Sequence, residues 1–360
     1  MNQTDYPSRA EAERLLEEAL PFNPGPWGDH SRVVARCAEK IAAAADLDAE
    51  KAYVLGLLHD IGRRYGPNHM GHVYKGAMDM LAIGYPAVAK ICITHSYNNR
   101  NVNEEVAGTP PCPEKDYVEE YLNNCTFDDY DRLIQLCDSI GMAEGAVPIE
   151  VRMNDVKRRY GLYPQPKWDT NLALKRYFEE KCGANLYDVL GEHPLGVRPS
   201  RMEDLPAMLA VYERARAFMK ETGNPRQWGA EQHDGVAWPP EERLVEDIRA
   251  GKSYVCLAGD RVAGTFFFTE GPEPTYAVIE GAWLSEDPYS VVHRIASDGS
   301  VPGLGAFCLN WAYKEAGHLR IDTHGDNRPM QHVLKKLGFT YCGIIHVEED
   351  DDPRLAFEKV

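Results

Sequence analysis

No uninterrupted apolar run approaches the roughly 18 residues of a membrane-spanning helix, so none is expected. C-x-x-C pairs are also missing. The nine cysteines are odd in number and scattered, and Cys37, Cys92, Cys137, Cys256 and Cys308 fall within apolar helix or strand patterns. That usage reads as reduced, intracellular thiols rather than a disulfide framework. Basic residues are scarce: 39 Lys and Arg face 56 Asp and Glu, for a net charge of −17. Phosphate backbones and anionic membranes are held by clustered cations, so a general nucleic-acid or membrane-surface partner is excluded. Much of the acidity sits in runs read as solvated, such as Glu348-Glu349-Asp350-Asp351-Asp352. Met1 to Arg14 is polar and has no apolar core, so no signal peptide is expected and the protein is read as cytoplasmic. There are no internal repeats. The 360 residues, 44% of them hydrophobic, suffice for two domains with a core each.

Against these absences stands a set of spaced histidines and aspartates in the first half: His30, His59-Asp60, His72, His95 and Asp138. Imidazole and carboxylate together suit Zn, Fe, Mn and related divalent ions. His59-Asp60 ends the apolar run Tyr53-Val54-Leu55-Gly56-Leu57-Leu58, where an unpartnered charge would be costly. At helical spacing His30 shares a face with Val33, Val34, Cys37 and Ile41. His59 lies over Leu55 and Ala52, His95 over Ile91 and Val88, and Asp138 over Ile134. A single histidine on an apolar face is ordinarily a hydrogen-bonded core residue. Several on separate helices, all pointing inward, predict a metal site. Arg63, Arg64 and Lys75 are the cations near this set in sequence, candidates to bind an anionic group.

The first half reads as helical. A short helix is expected at 10–20 and a Pro/Gly-rich loop from Pro21 to Gly28, with Asp29 or a neighbour capping the helix that carries His30. Helical patterns recur to about 141, broken by a polar stretch from Asn98 to Thr126 that contains one helix near Glu114–Asn123. Further helices fit 149–160 and 168–182, and no strand is expected.

His30, His59-Asp60 and Asp138, with Leu57-Leu58-His59-Asp60-Ile61-Gly62-Arg63, resemble the signature of the HD-domain metal-dependent phosphohydrolases over roughly residues 20–190. His72 with Gly76, and Ile91 with His95-Ser96, resemble the second-metal positions of the dinuclear branch. His72 is preferred over nearby His69 because Gly76 follows it by one helical turn. The resemblance implies that His30, His59, Asp60 and Asp138 hold one ion, and that His72 and His95 hold a second with Asp60 bridging. The ions are one or two of Fe, Mn, Zn, Co, Ni or Mg. Asp60 and Arg63, with Lys75, become the expected catalytic residues.

The pattern changes near Gly191–Pro194. An amphipathic helix at 203–220 precedes strands at Ser253–Ala258, Arg261–Thr269, Tyr276–Leu284 and Tyr289–Ser297, with a turn at Gly259-Asp260. Then come a helix at 304–316, a strand at Leu319–Thr323, a helix at 327–337 closed by Gly338, and strands at Phe339–His346 and Arg354–Lys359. Ser300-Val301-Pro302-Gly303-Leu304-Gly305-Ala306-Phe307 is a glycine turn running into a helix, where free N–H groups and the helix dipole favour an anion.

This order resembles the GNAT N-acetyltransferases over about 196–360. The resemblance rests on Arg198-Pro199 with Asp204, on Val262-Ala263-Gly264-Thr265, and on Asp326-Asn327 followed by Leu334-Lys335-Lys336-Leu337-Gly338-Phe339. It implies that acetyl-CoA lies on Val301, Gly303, Leu304, Gly305, Ala306 and Phe307, with Asn327 adding a contact. The sequence departs from the family at Ser300, where a basic residue is usual, at Pro302, and at Leu334, where a Tyr often serves as the acid. Glu280 or His293 is the expected base for the amine; Tyr341 lies near in sequence but on a strand.

The expected protein is therefore multidomain: an all-α HD domain at 1–193, then an α+β GNAT domain at 194–360 with a central mixed, mostly antiparallel sheet. Its expected partners are a phosphorylated metabolite or nucleotide and an amine acceptor, with a homodimer left open. Two alternatives stay open as well. Only one domain is catalytic while the other binds metal for stability or sensing, or the acetyltransferase half senses acetyl-CoA and regulates the hydrolase.

Overall fold

A computed structural model describes residues 4–67, 70–103, 114–230, 235–347 and 352–360. The chain forms two compact units, Met1–Pro194 and Leu195–Val360. No helix among the described residues is long and apolar enough to cross a membrane. His69 and residues 104–113 of the polar stretch lie outside the described residues, as does most of the acidic run. Asp352, read with that run as solvated, instead pairs with Arg226 at 2.9 Å and His324 at 3.2 Å.

The first unit opens with α1 (Arg9–Ala19), capped by the Ser8 hydroxyl, and a 3₁₀ turn at Leu20–Phe22. Helix α2 (Trp27–Ala44) starts earlier than the loop reading allowed. Pro26 precedes it, with no side-chain cap, and Asp29 sits inside its first turn, so Asp29 does not cap. Helix α3 (Ala49–Leu58), capped by Asp48, is apolar all round and buried from Ala52 to Leu58, which makes it the central helix. After it come α4 (Gly71–Ala82), α5 (Pro86–Thr94), α6 (Lys115–Asn124) and α7 (Asp129–Asp138). Helix α7 is started by a reciprocal Asp128–Asp131 capping box. Contrary to expectation the unit holds a small antiparallel hairpin, β1 (Gly141–Met142) and β2 (Gly145–Ala146), too short to show any alternation in sequence. Helices α8 (Ile149–Tyr160), α9 (Gln165–Cys182) and α10 (Leu186–Leu190) complete it. Helix α9 begins three residues before the expected 168, because Pro166 fits the first turn of a helix.

Between α3 and α4 a 3₁₀ turn at Ile61–Tyr65 lets Gly62 meet the backbone of α4. A Cβ on Gly62 would stand 2.0 Å from the His72 carbonyl oxygen and 2.6 Å from the Gly76 nitrogen. Backbone cannot yield as a flexible side chain would, so Gly62→Ala should push α4 away and carry His72 off Asp60. The expected cost is about 3 kcal/mol, the upper end for overpacking. Denaturant unfolding of the full chain, followed in the transition of the first unit, measures it. A shift within the roughly 0.5 kcal/mol of an ordinary surface change would disprove the tight contact.

The second unit is a single eight-stranded sheet with helices. In chain order its elements are β3 (Leu195–Pro199), α11 (Leu205–Glu221), α12 (Glu241–Arg249), β4 (Ser253–Ala258), β5 (Arg261–Glu270), β6 (Glu280–Gly281), β7 (Ser290–Ser297), α13 (Leu304–Ala316), β8 (Leu319–His324), α14 (Arg328–Lys336), β9 (Thr340–His346) and β10 (Pro353–Lys359). The strand order is β3-β4-β5-β7-β8-β10-β9-β6. Every neighbouring pair is antiparallel except β7 and β8. Those two are parallel and paired only at Ser290↔Leu319 and Val291↔Arg320, after which they separate. The sheet is thus mixed and mostly antiparallel, as expected. The strand read over Tyr276–Leu284 is a correction. Only Glu280–Gly281 pairs, because a 3₁₀ turn occupies Pro274–Tyr276. At the unit's start the Arg198 guanidinium grips Asp204 through two bonds of 2.7 and 2.8 Å, both residues buried, and so ties β3 to the entry of α11.

Candidate functional site

Four histidines and two aspartates converge in the first unit, delivered by five stretches of backbone. Helix α2 carries His30, the end of α3 His59-Asp60, α4 His72, the end of α5 His95, and the last residue of α7 Asp138. His30 Nε2 lies 3.0 Å from Asp138 Oδ1, and His59 Nε2 lies 4.0 Å from that same oxygen. Asp60 Oδ1 is 3.1 Å from His72 Nε2 and 3.4 Å from His95 Nε2, while Asp60 Oδ2 is 3.8 Å from His59 Nε2. Asp60 thus lies between His59 on one side and His72 and His95 on the other. Among the described residues two groups could hold an ion, His30–His59–Asp138 and His59–Asp60–His95, and His59 belongs to both.

The histidine tautomers follow from the backbone. His59 Nδ1 donates to the Gly56 carbonyl at 2.7 Å and His95 Nδ1 to the Ile91 carbonyl at 3.1 Å, so both Nε2 atoms face the cluster as lone pairs. Burial pushes His59 down to about 4, against the pull of Asp60, so it is neutral at pH 7. Burial opposes ionisation of Asp60, yet Arg63, His59 and His72 outweigh it and hold its carboxyl well below the usual range. Asp138 is likewise held low against burial by its bond to His30. His59 Nε2 and Asp60 Oδ1 are buried with no hydrogen-bond partner among the described residues. Buried polar atoms left so are costly, and a divalent cation satisfies both. Neutral imidazoles with ionised carboxylates are the donor set such an ion takes, so these residues fit the metal that the sequence implied.

The centre opens on a cleft of about 640 Å³. Arg63 lines it and contacts Asp60 through Nε. Lys75 is a correction: it lies outside the cleft lining, with its ammonium 5.3 Å over the Tyr65 ring. Arg64 also lies outside, 4.7 Å over Phe22. The cations that do line the cleft besides Arg63 are Arg152, Arg159 and Lys167, from α8 and the start of α9. Sequence reasoning missed them, although 152, 155, 156 and 159 keep helical spacing on a helix that was expected.

In the second unit a cavity of about 150 Å³ is lined by residues of both β7 and β8 where the strands part, including Val292, His293, Ile321 and Asp322. His293 Nε2 lies 3.3 Å from Glu273 and Nδ1 3.5 Å from Asp322, and Asp322 also accepts from the Tyr276 hydroxyl at 2.7 Å. Burial opposes protonation of His293, but the two carboxylates prevail and raise it to about 9. The two carboxylates thus favour the protonated form of His293, which works against the role of base expected of it. Glu280 is corrected as well. It is exposed on two-residue β6, outside the cavity lining, 3.2 Å from His346. Tyr341 is exposed on β9, and Leu334 is fully buried in the core.

Because His293 has the higher pKa when folded, its stabilising contribution is complete below about 6.5 and fades as pH rises through 9. Glu273 and Asp322 are held below their ordinary values, so their share is present above those values and fades on acidification. The stability gap between wild type and His293→Gln should be flat from about pH 5 to 6.5 and shrink towards pH 9. Proton NMR of the His293 ring tests the cause directly. A midpoint at the ordinary 6.5 would overturn the assignment.

The glycine turn adopts the expected strand-to-helix geometry. Gly303 caps α13 with φ +80°, which a side chain would strain. Cβ atoms added at Gly303 or Gly305 would meet nothing within 4 Å, so the turn has an open side. Leu304 is buried, and Val301 and Phe307 pack against the core, so these three offer backbone rather than side chain. Leu304 N–H is taken by the Val301 carbonyl at 3.4 Å and Phe307 N–H by Gly303 at 3.0 Å, while the first-turn N–H groups of Gly305 and Ala306 lie beyond what the helix can satisfy. Ser300, where a basic residue is usual in the family, accepts from Arg261 of β5 at 2.6 Å, and Arg261 also pairs with Asp298. Asn327 lines the cavity but spends its oxygen capping α14, accepting from Met330 N at 3.2 Å, and its amide on Gln227 at 3.0 Å.

Residues 27–143 match the family model of the HD domain. No curated protein matches the chain. Among solved structures, a GNAT-family acetyltransferase from Streptococcus agalactiae is 30% identical, over 47% of this chain and 96% of its own, with a TM-score of 0.42. A GNAT-family acetyltransferase from Listeria monocytogenes is 18% identical, over 46% and 94%, with a TM-score of 0.36. A ribosomal-protein-alanine N-acetyltransferase from Brucella melitensis is 18% identical, over 46% and 98%, with a TM-score of 0.32.

Proposed function

Since the chain joins an HD domain at residues 27–143 to a unit of GNAT-like fold, we propose that it is a bifunctional enzyme. The first unit hydrolyses a phosphate ester or anhydride of a nucleotide or small metabolite. The second transfers acetyl from acetyl-CoA to the amine of a small acceptor. The observation that carries the first activity is the pair of buried, unsatisfied ligand atoms, His59 Nε2 and Asp60 Oδ1, inside a cluster of imidazoles and carboxylates at the base of a cleft. A divalent ion held there by His30, His59, Asp60, His72, His95 and Asp138 would supply Lewis-acid chemistry and charge neutralisation at a phosphoryl group. The chain does the rest. Backbone carbonyls of Gly56 and Ile91 aim His59 and His95, Asp60 orients Arg63, and Arg63 offers its remaining donors to the phosphate.

For the second unit, the turn from Val301 to Phe307 presents Gly305 and Ala306 N–H groups to the pyrophosphate, and the parting of β7 and β8 leaves room for the reacting end beside His293. Glu273 and Asp322 favour the protonated form of His293 there. A second reading is favoured by one observation: Leu334, where a tyrosine acid is usual in the family, is buried core. On that reading the unit binds acetyl-CoA and regulates the hydrolase.

Protein purified without chelator is assayed for bound metal, then for phosphate release from nucleotides and sugar phosphates with Mn, Fe, Co and Mg. Metal below about a tenth of an equivalent, together with no release from any substrate, rejects the hydrolase. Thiol release from acetyl-CoA with a panel of primary amines supports the transferase; tight binding without thiol release supports the regulatory reading.

A further inference from the structure

The cleft above the metal centre has a second wall that the HD match does not reach. That match ends at residue 143, whereas α8 spans Ile149–Tyr160 and α9 begins at Gln165. Arg152, Asp155, Val156, Arg159 and Tyr160 of α8 all line the cleft, at the spacing of one helix face. Lys167 of α9 joins them and donates to the Ser96 carbonyl at 2.7 Å. The charges on this wall do not cancel. Asp155 is its one carboxylate, and three arginines share it: Arg152 at 3.4 Å, Arg158 at 3.4 Å and Arg159 at 3.0 Å. Exposed Glu144, on the β1–β2 turn, is the other acid on the lining away from Asp60 and Asp138. Arg152 is largely buried, and its Nε has no hydrogen-bond partner among the described residues. A guanidinium donor hidden from water and left unmade is costly unless a ligand completes it.

We propose that the face formed by Arg152 and Arg159, with Lys167 beside it, is an anion subsite that holds a second negatively charged group of the substrate while Arg63 and the metal centre hold the scissile phosphate. The preferred substrate is then a doubly anionic compound, such as a bisphosphate or a phosphorylated acid, rather than a simple monoester. The planar guanidinium fork suits phosphate or carboxylate oxygens. The subsite rests on the hydrolase reading above but does not follow from it, because a simple monoester needs only Arg63 and the metal centre.

Calorimetric titration of the full metal-loaded chain with two non-hydrolysable probes of one backbone, butylphosphonate and butane-1,4-bisphosphonate, tests it. Wild type should bind the bisphosphonate tighter by on the order of tenfold or more, the worth of a charge-assisted contact. In Arg159→Gln that ratio should fall severalfold, and in Arg152→Gln/Arg159→Gln it should approach one. Arg159 is half-exposed, so the single variant keeps the test open if the double variant misfolds. Lys157→Gln removes a charge from the exposed side of the same helix and should leave the ratio unchanged. Equal binding of both probes by wild type, or a ratio that Lys157→Gln lowers as much as Arg159→Gln does, overturns the subsite while monoester hydrolysis can still uphold the hydrolase reading. Failure to bind either probe, with no phosphate released from any substrate, removes both.

Discussion

Asp60→Asn should leave the first unit without measurable phosphatase activity, a fall of about a thousandfold or more, and with much less bound metal. One Asp60 oxygen lies against His72 and His95 and the other between His59 and Arg63, so a single carboxylate organises four side chains. Asparagine keeps the shape but loses the charge, and one of its two ends becomes a donor aimed at imidazole nitrogens or at Arg63. The guanidinium of Arg63 is half-exposed and can be hydrated, so the chain should still fold. Elemental analysis, thermal unfolding and phosphate release on wild type, Asp60→Asn and His59→Ala separate the possibilities. His59 belongs to both ligand groups, so His59→Ala should also empty the centre rather than half of it. Unchanged phosphate release in Asp60→Asn would place the chemistry elsewhere.

Gly305→Glu should abolish acetyl-CoA binding while leaving the fold intact. The added side chain enters open space, so packing does not oppose it. A carboxylate in the first turn of α13 even favours the helix, by about 0.3–1 kcal/mol. Towards a pyrophosphate on the same N–H groups it is a like charge at close range, and at about 4 Å and an effective dielectric of about 20 the repulsion is about 4 kcal/mol. Calorimetric titration should therefore show affinity reduced at least about a hundredfold with no drop in melting temperature. Gly305→Glu binding as tightly as wild type would show that the ligand lies elsewhere. A wild type that binds nothing at millimolar acetyl-CoA would remove the second activity altogether.

How much was legible in sequence depended on whether a feature repeats along the chain. Elements several turns or pairings long were readable almost to the residue: α8 at 149–160, β4 at Ser253–Ala258 and α13 at 304–316. Elements held by one or two pairings were not. β6 has two residues, the β1–β2 hairpin four, and neither repeats often enough to show alternation. The segment around Tyr276–Trp283 looked like a strand because it is rich in apolar and aromatic residues. Most of it is instead exposed, with Tyr276 buried, Trp283 packed on Tyr276, and Trp283 Nε1 donating to the Tyr276 carbonyl at 3.1 Å.

His30, His59, His95 and Asp138 were legible in the sequence itself, because each sits at a fixed helical offset from an apolar stripe, and burying the stripes turns them inward; Asp60 follows His59 directly, and His72 was read from the family resemblance. The glycine turn was likewise local, a few adjacent residues whose backbone makes the feature. Only tertiary structure decided which charges share a site. Lys75 and Arg64 are near the ligands in sequence but stack on Tyr65 and Phe22, whereas Arg152, Arg159 and Lys167 are remote in sequence and line the cleft. It also decided the protonation of His293, since Glu273 and Asp322 lie far from it along the chain and close to it in space. Hydrophobic periodicity is a property of one segment, but a charge is tuned by its neighbours in three dimensions, and those are chosen by how the segments pack.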